Sequence, residues 1–475
     1  MQRKIILFIL LLSIVLYYLA PNHVDRTYCA ICLVLYIIEV LIVLRIDLKS
    51  KIYVGFNILF FMSFFLTSFA YPLFVYDTPA DILGKIEQTI NFDSLTKWSA
   101  LCLIASSTYC YGYLRKLNIN KCEGYRDRFI SDSMVGNLSI LKILYIIIFV
   151  LLFSVAFLFM RAGGSVALQG GDLLSALFEV IFPVILLTNT IKTKPQTLRE
   201  FIRFNLMILV LSAAMMLVFI RIGDRGLILT CSLQIIAIYT LCVNRPKLFY
   251  IGCLMLVGVV LLFSIRQLRM SDSYAKESSI ASFSNFASSS LKEYGVEYGI
   301  WYYLSDLTNI SHELCLGYEY SQKNGLFYPV EEIVLAAMSP VPLLPSLFCN
   351  YVLGKPTSEY VTGEQLNKYM SSYGHANFGN HCVIDLYMMW RLLGVVIVFY
   401  LFGYFVAKSY NKVLDNLLYA ALYVMLISYA IYVPRNIILS LIRPAVYIWF
   451  FVCLSNRRSN KKSSLKQISL IKSDE

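Results

Sequence analysis

The chain has 475 residues, of which 58% are hydrophobic and only 15% charged, with a mean hydropathy of +0.67. A soluble domain carries about one-quarter charged residues, so a water-exposed globular fold is excluded and lipid is the solvent for most of the sequence. The formal net charge of +12 does not indicate nucleic acid, because the cations are scattered between apolar runs rather than gathered into one patch.

Lipid leaves no water for backbone groups, so apolar runs of spanning length must be helices. The first, residues 5–20, follows MQRK like a signal peptide, but Tyr18, Leu19 and Ala20 form a poor cleavage site. It is therefore read as a retained span. Further runs are centred on residues 28–44, 52–76, 98–114, 140–160, 173–191, 202–220, 227–243 and 248–265. The last three are 383–407, 414–432 and 437–454. The expected fold is thus all-α: a polytopic helical membrane protein of about 12 transmembrane helices with one large outside loop. Residues 1–265 hold spans one to nine, 266–380 the loop, 381–454 spans ten to twelve, and 455–475 a basic cytoplasmic tail.

Orientation follows the basic residues. With both termini cytoplasmic, 25 of the 41 basic residues fall in inside segments, and the alternation never breaks. A loop as long as 266–380 is expected to fold over the membrane surface. Within it, EEIVLAAMSPVPLLPSLFCNYVLG is too interrupted by proline to span, and is expected to be interfacial or re-entrant, buried against protein. Most of the twelve cysteines sit in apolar runs as small hydrophobes, whereas Cys315 and Cys349 share one polar region and could pair there.

The 16 remaining cations divide by type. The lysines (Lys97 and Lys323 among them) lie in polar loop sequence, whereas the arginines gather at or within the outer ends of spans. Arginine grips phosphate oxygens in a planar, bidentate fashion and stays charged when partly desolvated. In FIRIGDRGLIL, Arg221 and Arg225 flank Gly223 and Asp224, and Gly226 and Leu227 begin the next span. Two guanidinium groups beside an outward-facing helix N-terminus make a diphosphate cradle. A hairpin in which Asp224 neutralises one arginine fits the same residues. Arg266 and Arg269 stand one helical turn apart after span nine, and Arg435 and Arg443 lie in YVPRNIILSLIRPAVY. There Pro434 suits a helix start, and eight helical residues would carry Arg443 about 12 Å inward. An arginine that deep is a functional hypothesis by default, with ion pairing to Asp385 or Glu179 as the structural alternative.

A second cluster, SSYGHANFGNHCVIDLYMMWRLLG, brings His375, His381, Asp385 and Arg391 together at the start of span ten. An imidazole there could take a proton from a sugar hydroxyl or hold a phosphate. The structural reading is a polar start to a helix, with Asp385 paired to Arg391. The spacing of His375 and His381 is poor for a helical metal pair, so no metal is assigned. In the loop, TNISHELCLGYEYSQKNGLFYPVEE offers His312, Glu313, Glu319, Glu331 and Glu332 among aromatics, a mixture suited to sugar binding or to a membrane interface. RAGGSVALQGGD, residues 161–172, reads as a flexible turn or a lid.

GDRG in a short outer turn, the late large loop, the glycine-rich approach to span ten and YVPRN at the last outer turn together resemble Wzy-type polymerases. These bacterial enzymes polymerise O-antigen or capsule repeat units. The resemblance implies a GT-C-like fold in the inner membrane, with the large outside loop periplasmic, and inverting, metal-independent glycosyl transfer at the periplasmic face, without a cofactor. It implies an oligosaccharide on undecaprenyl diphosphate as substrate, with membrane lipid and a chain-length regulator protein as partners. The implied diphosphate ligands are Arg221, Arg225, Arg266 and Arg269, then Arg435, Arg443 and Arg391. The implied base is His375, with Asp224 and Asp385 behind it. An O-antigen ligase shares fold, face and leaving group. A lipid-linked oligosaccharide flippase is the third class, disfavoured because the inner halves of the spans look nearly free of charge and no internal repeat is visible.

Overall fold

The computed structural model describes residues 2–49, 55–75, 94–118, 137–161, 171–222, 226–244, 310–371, 380–413 and 415–455. Among them there is no β-strand. The ninth expected span and the loop before residue 310 lie outside the described residues.

Among the described residues seven helices are long and apolar enough to cross a membrane. They are α1 (Gln2–Leu19), α2 (Arg26–Lys49), α5 (Leu138–Arg161), α6 (Gly171–Thr193), α7 (Leu198–Ile222), α13 (Cys382–Asn411) and the stretch Ile438–Ser455. That stretch opens as a 3₁₀ turn, Ile438–Leu441, and continues as α15 over 442–455. Four further apolar helices among the described residues are shorter: α3 (Phe56–Ser68), α8 (Gly226–Cys242), α14 (Leu417–Tyr429) and the loop stretch Leu344–Leu353. Between α3 and α5 runs α4 (Leu95–Lys116), and the loop contributes α9 (Ser311–Asn324), α10 (Pro329–Met338), α11 (Leu344–Phe348) and α12 (Thr362–Ser371). The chain divides into two compact units. The first comprises Met1–Cys122, Ser290–Lys408 and Tyr429–Arg443, and the second comprises Glu123–Ser289, Ser409–Ser428 and Pro444–Glu475.

In the first unit α4 is the central helix. Its serines, threonines and tyrosines lower its hydropathy, yet nearly every side chain is buried. Arg3 Nε donates to Leu114 O at 3.0 Å while Tyr17 lies by Lys97, so α1 runs antiparallel to α4. Ser99 reaches Cys29 and Tyr113 reaches Asp47, so α2 runs parallel to it. The α4–α13 crossing is backbone on backbone. A Cβ on Gly112 would meet Tyr400 O at 2.2 Å, and one on Gly403 would meet Tyr109 O at 2.2 Å. Small residues at such crossings allow close packing where lipid supplies no hydrophobic drive. Trp98 meets Tyr387 near the other end, so α13 runs parallel to α4. On α1 the outward residues Phe8, Leu11, Val15 and Tyr18 are as apolar as the buried ones, the mark of a helix with lipid on one side.

Two acidic residues correct the expectation of charge-free inner spans. Glu39 and Asp47 of α2 are both buried. Ser106 donates to Glu39 at 2.7 Å and Ser107 to its other oxygen, whereas Asn57 and Tyr113 donate to Asp47 at 2.7 and 2.8 Å.

The second unit packs α5 to α8 with similar logic. Tyr145 stacks on Phe178 and donates to Ile208 O at 3.2 Å. Asn189 donates to Asn205 Oδ1 at 2.8 Å, and Gln234 to Glu179 O at 3.0 Å. Pro183 sits inside α6, where it removes one backbone donor.

The proline-interrupted loop segment forms no continuous helix of spanning length. Helix α11 has five residues and is followed by a single π turn, Cys349–Leu353. A small core of Leu335, Cys349 and Tyr360 holds it to α10. The expectation of burial against protein fails for its other face, where Leu343 is 74% and Tyr351 84% exposed. No Asp, Glu, Lys, Arg or His occurs between Ser339 and Gly354, a composition suited to a membrane interface. Cys315 and Cys349 are free thiols, both buried, and do not pair.

Candidate functional site

Four separate pieces of the first unit meet at the N-terminus of α13. His381 caps it: its Nδ1 accepts from the Val383 N–H at 3.2 Å, so the ring proton is on Nε2 and is donated to Ser68 Oγ at 3.1 Å. Asn380 N–H donates to the Arg435 carbonyl at 3.4 Å, tying the approach to α13 to the 3₁₀ turn Val433–Arg435. Gly363, in the first turn of α12, lets Asn380 lie against the backbone, because a Cβ there would stand 2.5 Å from Asn380 Nδ2.

Behind this cap lies a carboxyl pair. Thr362 Oγ1 is 3.0 Å from Glu332 Oε1 and also contacts Asp385 Oδ1, while the Thr362 N–H donates to Glu332 Oε1 at 3.4 Å. A hydroxyl has one proton to give. It donates to one carboxyl and must accept from the other, so the pair retains a proton between its members. Burial pushes the Glu332 carboxyl up to about 7. The second oxygens, Glu332 Oε2 and Asp385 Oδ2, are buried without a hydrogen-bond partner among the described residues.

Two turns further on α13 breaks. Arg391 has φ 56° and ψ −148°, a region that glycine ordinarily occupies, and Trp390 is also non-helical. The break frees the Met388 carbonyl, which accepts from the Phe327 N–H at 3.1 Å. The Arg391 guanidinium donates to Ser321 O and lies 5.4 Å from the Tyr387 ring centre. The expected Asp385–Arg391 ion pair is therefore absent. Both side chains are committed to the loop helices instead, because the kink turns Arg391 towards α9.

Among the arginines implied as diphosphate ligands, Arg391, Arg435 and Arg443 belong to the first unit. The residues from 435 to 443 do not form one helix: Asn436 is extended between two 3₁₀ turns, and Arg443 is the second residue of α15. The 12 Å inward reach drawn from continuous helical rise does not hold. Pro434 occupies a 3₁₀ turn, and Pro444 sits in the first turn of α15, where its missing N–H costs nothing. Arg221 is in the last turn of α7, in the second unit. Asp224, Arg225, Arg266, Arg269 and His375 lie outside the described residues. Sequence reasoning missed Thr362, whose signal was the capping pattern Thr362-Gly363-Glu364-Gln365 at the start of α12. It named Glu332 only as a loop carboxylate.

No protein-family model matches the chain, and no curated protein or solved structure is significantly similar to it.

Proposed function

We propose that the protein is a polysaccharide polymerase of twelve spans and GT-C-like fold, joining undecaprenyl-diphosphate-linked oligosaccharide units at the periplasmic face of a bacterial inner membrane. One observation carries the reading. The hydrogen bond from Asn380 to the Arg435 carbonyl joins the glycine-rich approach to α13 with the YVPRN turn, two of the motifs on which the resemblance rests. Helix directions support it too, since the tenth expected span runs parallel to the fourth and antiparallel to the first.

In this reaction the acceptor hydroxyl loses its proton to a base, for which His375 is favoured and Asp224 is next. The oxygen attacks the anomeric carbon of the donor glycan. The carbon–oxygen bond to undecaprenyl diphosphate breaks, and its electron pair leaves on the diphosphate. Guanidinium groups of Arg221, Arg225, Arg266 and Arg269 are the candidates to stabilise that charge, and Arg435 and Arg443 are the next candidates. Asp385 is 1% exposed, so its part is to hold the start of α13, with Thr362 and Glu332, rather than to meet substrate.

Glycan profiling of a deletion strain tests this. Loss of a polymerase leaves single repeat units on the outer glycolipid. Loss of a ligase leaves none there, with polymer stranded on the carrier, and loss of a flippase traps units on the inner leaflet. Arg225→Ala is expected to abolish chain growth at normal protein level; unchanged chain length would remove the central site. The flippase reading gains one observation, the buried Glu39 and Asp47 within a span.

A further inference from the structure

A cavity of about 290 Å³ opens in the first unit between the α1–α2 connection, the start of α4 and the loop helix α9. In the orientation read from the basic residues all three lie on the face of the proposed reaction, and the inference rests on that reading. The size is at the low end for small-molecule pockets. Its chemistry is specific. Lys97 Nζ stands 5.3 Å from the ring centre of Tyr17 and 5.7 Å from that of Tyr318, and it makes no ion pair among the described residues. The other cation at the rim, Lys323, is already held by Glu319 at 2.6 Å. One positive charge is thus left over, inside an aromatic frame. Asn22, Ser94 and Gln322 add neutral donors and acceptors of the kind that meet hydroxyl groups. Tyr318 is half-buried and backed by Tyr387 at 5.7 Å, a fixed aromatic surface for the C–H face of a ring.

We propose that this cavity binds an anionic sugar residue, a hydroxylated ring bearing a single carboxylate or phosphate, with Lys97 as the counter-charge and Tyr318 as the stacking surface. A neutral sugar would leave the Lys97 ammonium without an anion, and an apolar ligand would strand the amide and hydroxyl groups as well. The repeat unit handled by the protein would then contain an acidic sugar.

The test is ligand binding to the purified full chain in detergent, followed by saturation-transfer NMR. Glucuronic acid supplies the carboxylate, glucose 6-phosphate the phosphate, and glucose the neutral control. The expected result is that at least one of the two acids binds about tenfold more tightly than glucose. Whichever acid does so identifies the source of the charge. Lys97→Met should erase the preference and Lys97→Arg should keep it, with thermal midpoints unchanged in both. Equal binding of acids and glucose, no binding of either acid, or a preference that survives Lys97→Met overturns the proposal. None of these outcomes depends on chain growth, so they stand apart from the Arg225→Ala result that judges the polymerase reading.

Discussion

Replacing Glu332 with glutamine should remove a pH dependence that the carboxyl pair builds into the fold. The Glu332 carboxyl is held at about 7 instead of its ordinary 4.5, because burial penalises the ionised form. Below pH 4.5 it is protonated in both folded and unfolded chains and costs nothing. Between 4.5 and 7 the unfolded chain has released the proton and the folded chain keeps it. Stability therefore falls as pH rises through this window. The shift corresponds to about 3 kcal/mol. Scaling the unfolding entropy to a chain of this length gives roughly 1 °C per kcal/mol, so the wild-type midpoint should drop by about 3 °C between pH 5 and pH 8. Glutamine keeps the shape, donates to Thr362 or Asp385, and carries no proton to lose. Thermal unfolding of the detergent-solubilised chain across that range is the assay. A wild-type midpoint that stays level, or a Glu332→Gln protein whose slope is as steep as the wild type's, would refute the proton-holding pair.

Three further outcomes follow from the same packing. Thr362→Val strands two buried carboxyl groups and should lower stability by about 1–3 kcal/mol in the same assay, with Thr362→Ser restoring it. Gly403→Val places side-chain atoms where the Tyr109 carbonyl stands, at 2.2 Å from the Cβ position, so α4 and α13 must separate and the protein should fail to elute as a monodisperse peak. Arg391→Lys keeps the charge but loses the planar group that reaches Ser321 and faces Tyr387, and should cost about 1–2 kcal/mol of thermal stability at constant pH.

The spans were legible because lipid imposes a local rule: α1, α2, α5, α6, α7 and α13 each announce themselves as one apolar run. What was not legible depended on partners distant in sequence. Helix α4 looks polar in part, and only its neighbours explain why: Ser106 and Ser107 face Glu39, and Tyr113 faces Asp47. The break at Arg391 carries no proline, and Gly394 three residues on leaves room for the displaced Trp390, since a Cβ there would stand 2.8 Å from Trp390 Cβ. On the loop, the Phe327 N–H takes the Met388 carbonyl that the break frees, and Ser321 O receives the Arg391 guanidinium. Glu332 and Asp385 are separated by 53 positions and by the helices α11 and α12, so no spacing rule could pair them. The Cys315–Cys349 pairing failed for a related reason. Sharing a polar region says nothing about which small core each thiol enters, and Cys349 enters the one built by Leu335 and Tyr360.

Glu39 decides how much weight the transport reading deserves. A carboxyl group that carries protons across a membrane must exist in two states, and its surroundings must leave it something to exchange with. At Glu39 both oxygens are taken by serine hydroxyls, and at Asp47 both are taken by Asn57 and Tyr113. The pair at Glu332 and Asp385 differs, since each member keeps one oxygen without a partner among the described residues. Full saturation is what interhelical glue requires: α2 is held to α4 by hydrogen bonds that have nowhere else to go in lipid. Glutamine at position 39 can accept from one serine and donate to the other, so Glu39→Gln should leave chain growth and protein level unchanged. Alanine removes both bonds and should lower stability by about 1–3 kcal/mol. If Glu39→Gln abolished function at normal stability and level, the carboxyl group would be titrating during turnover, and the protein would be better described as a proton-coupled carrier of the lipid-linked unit than as its polymerase.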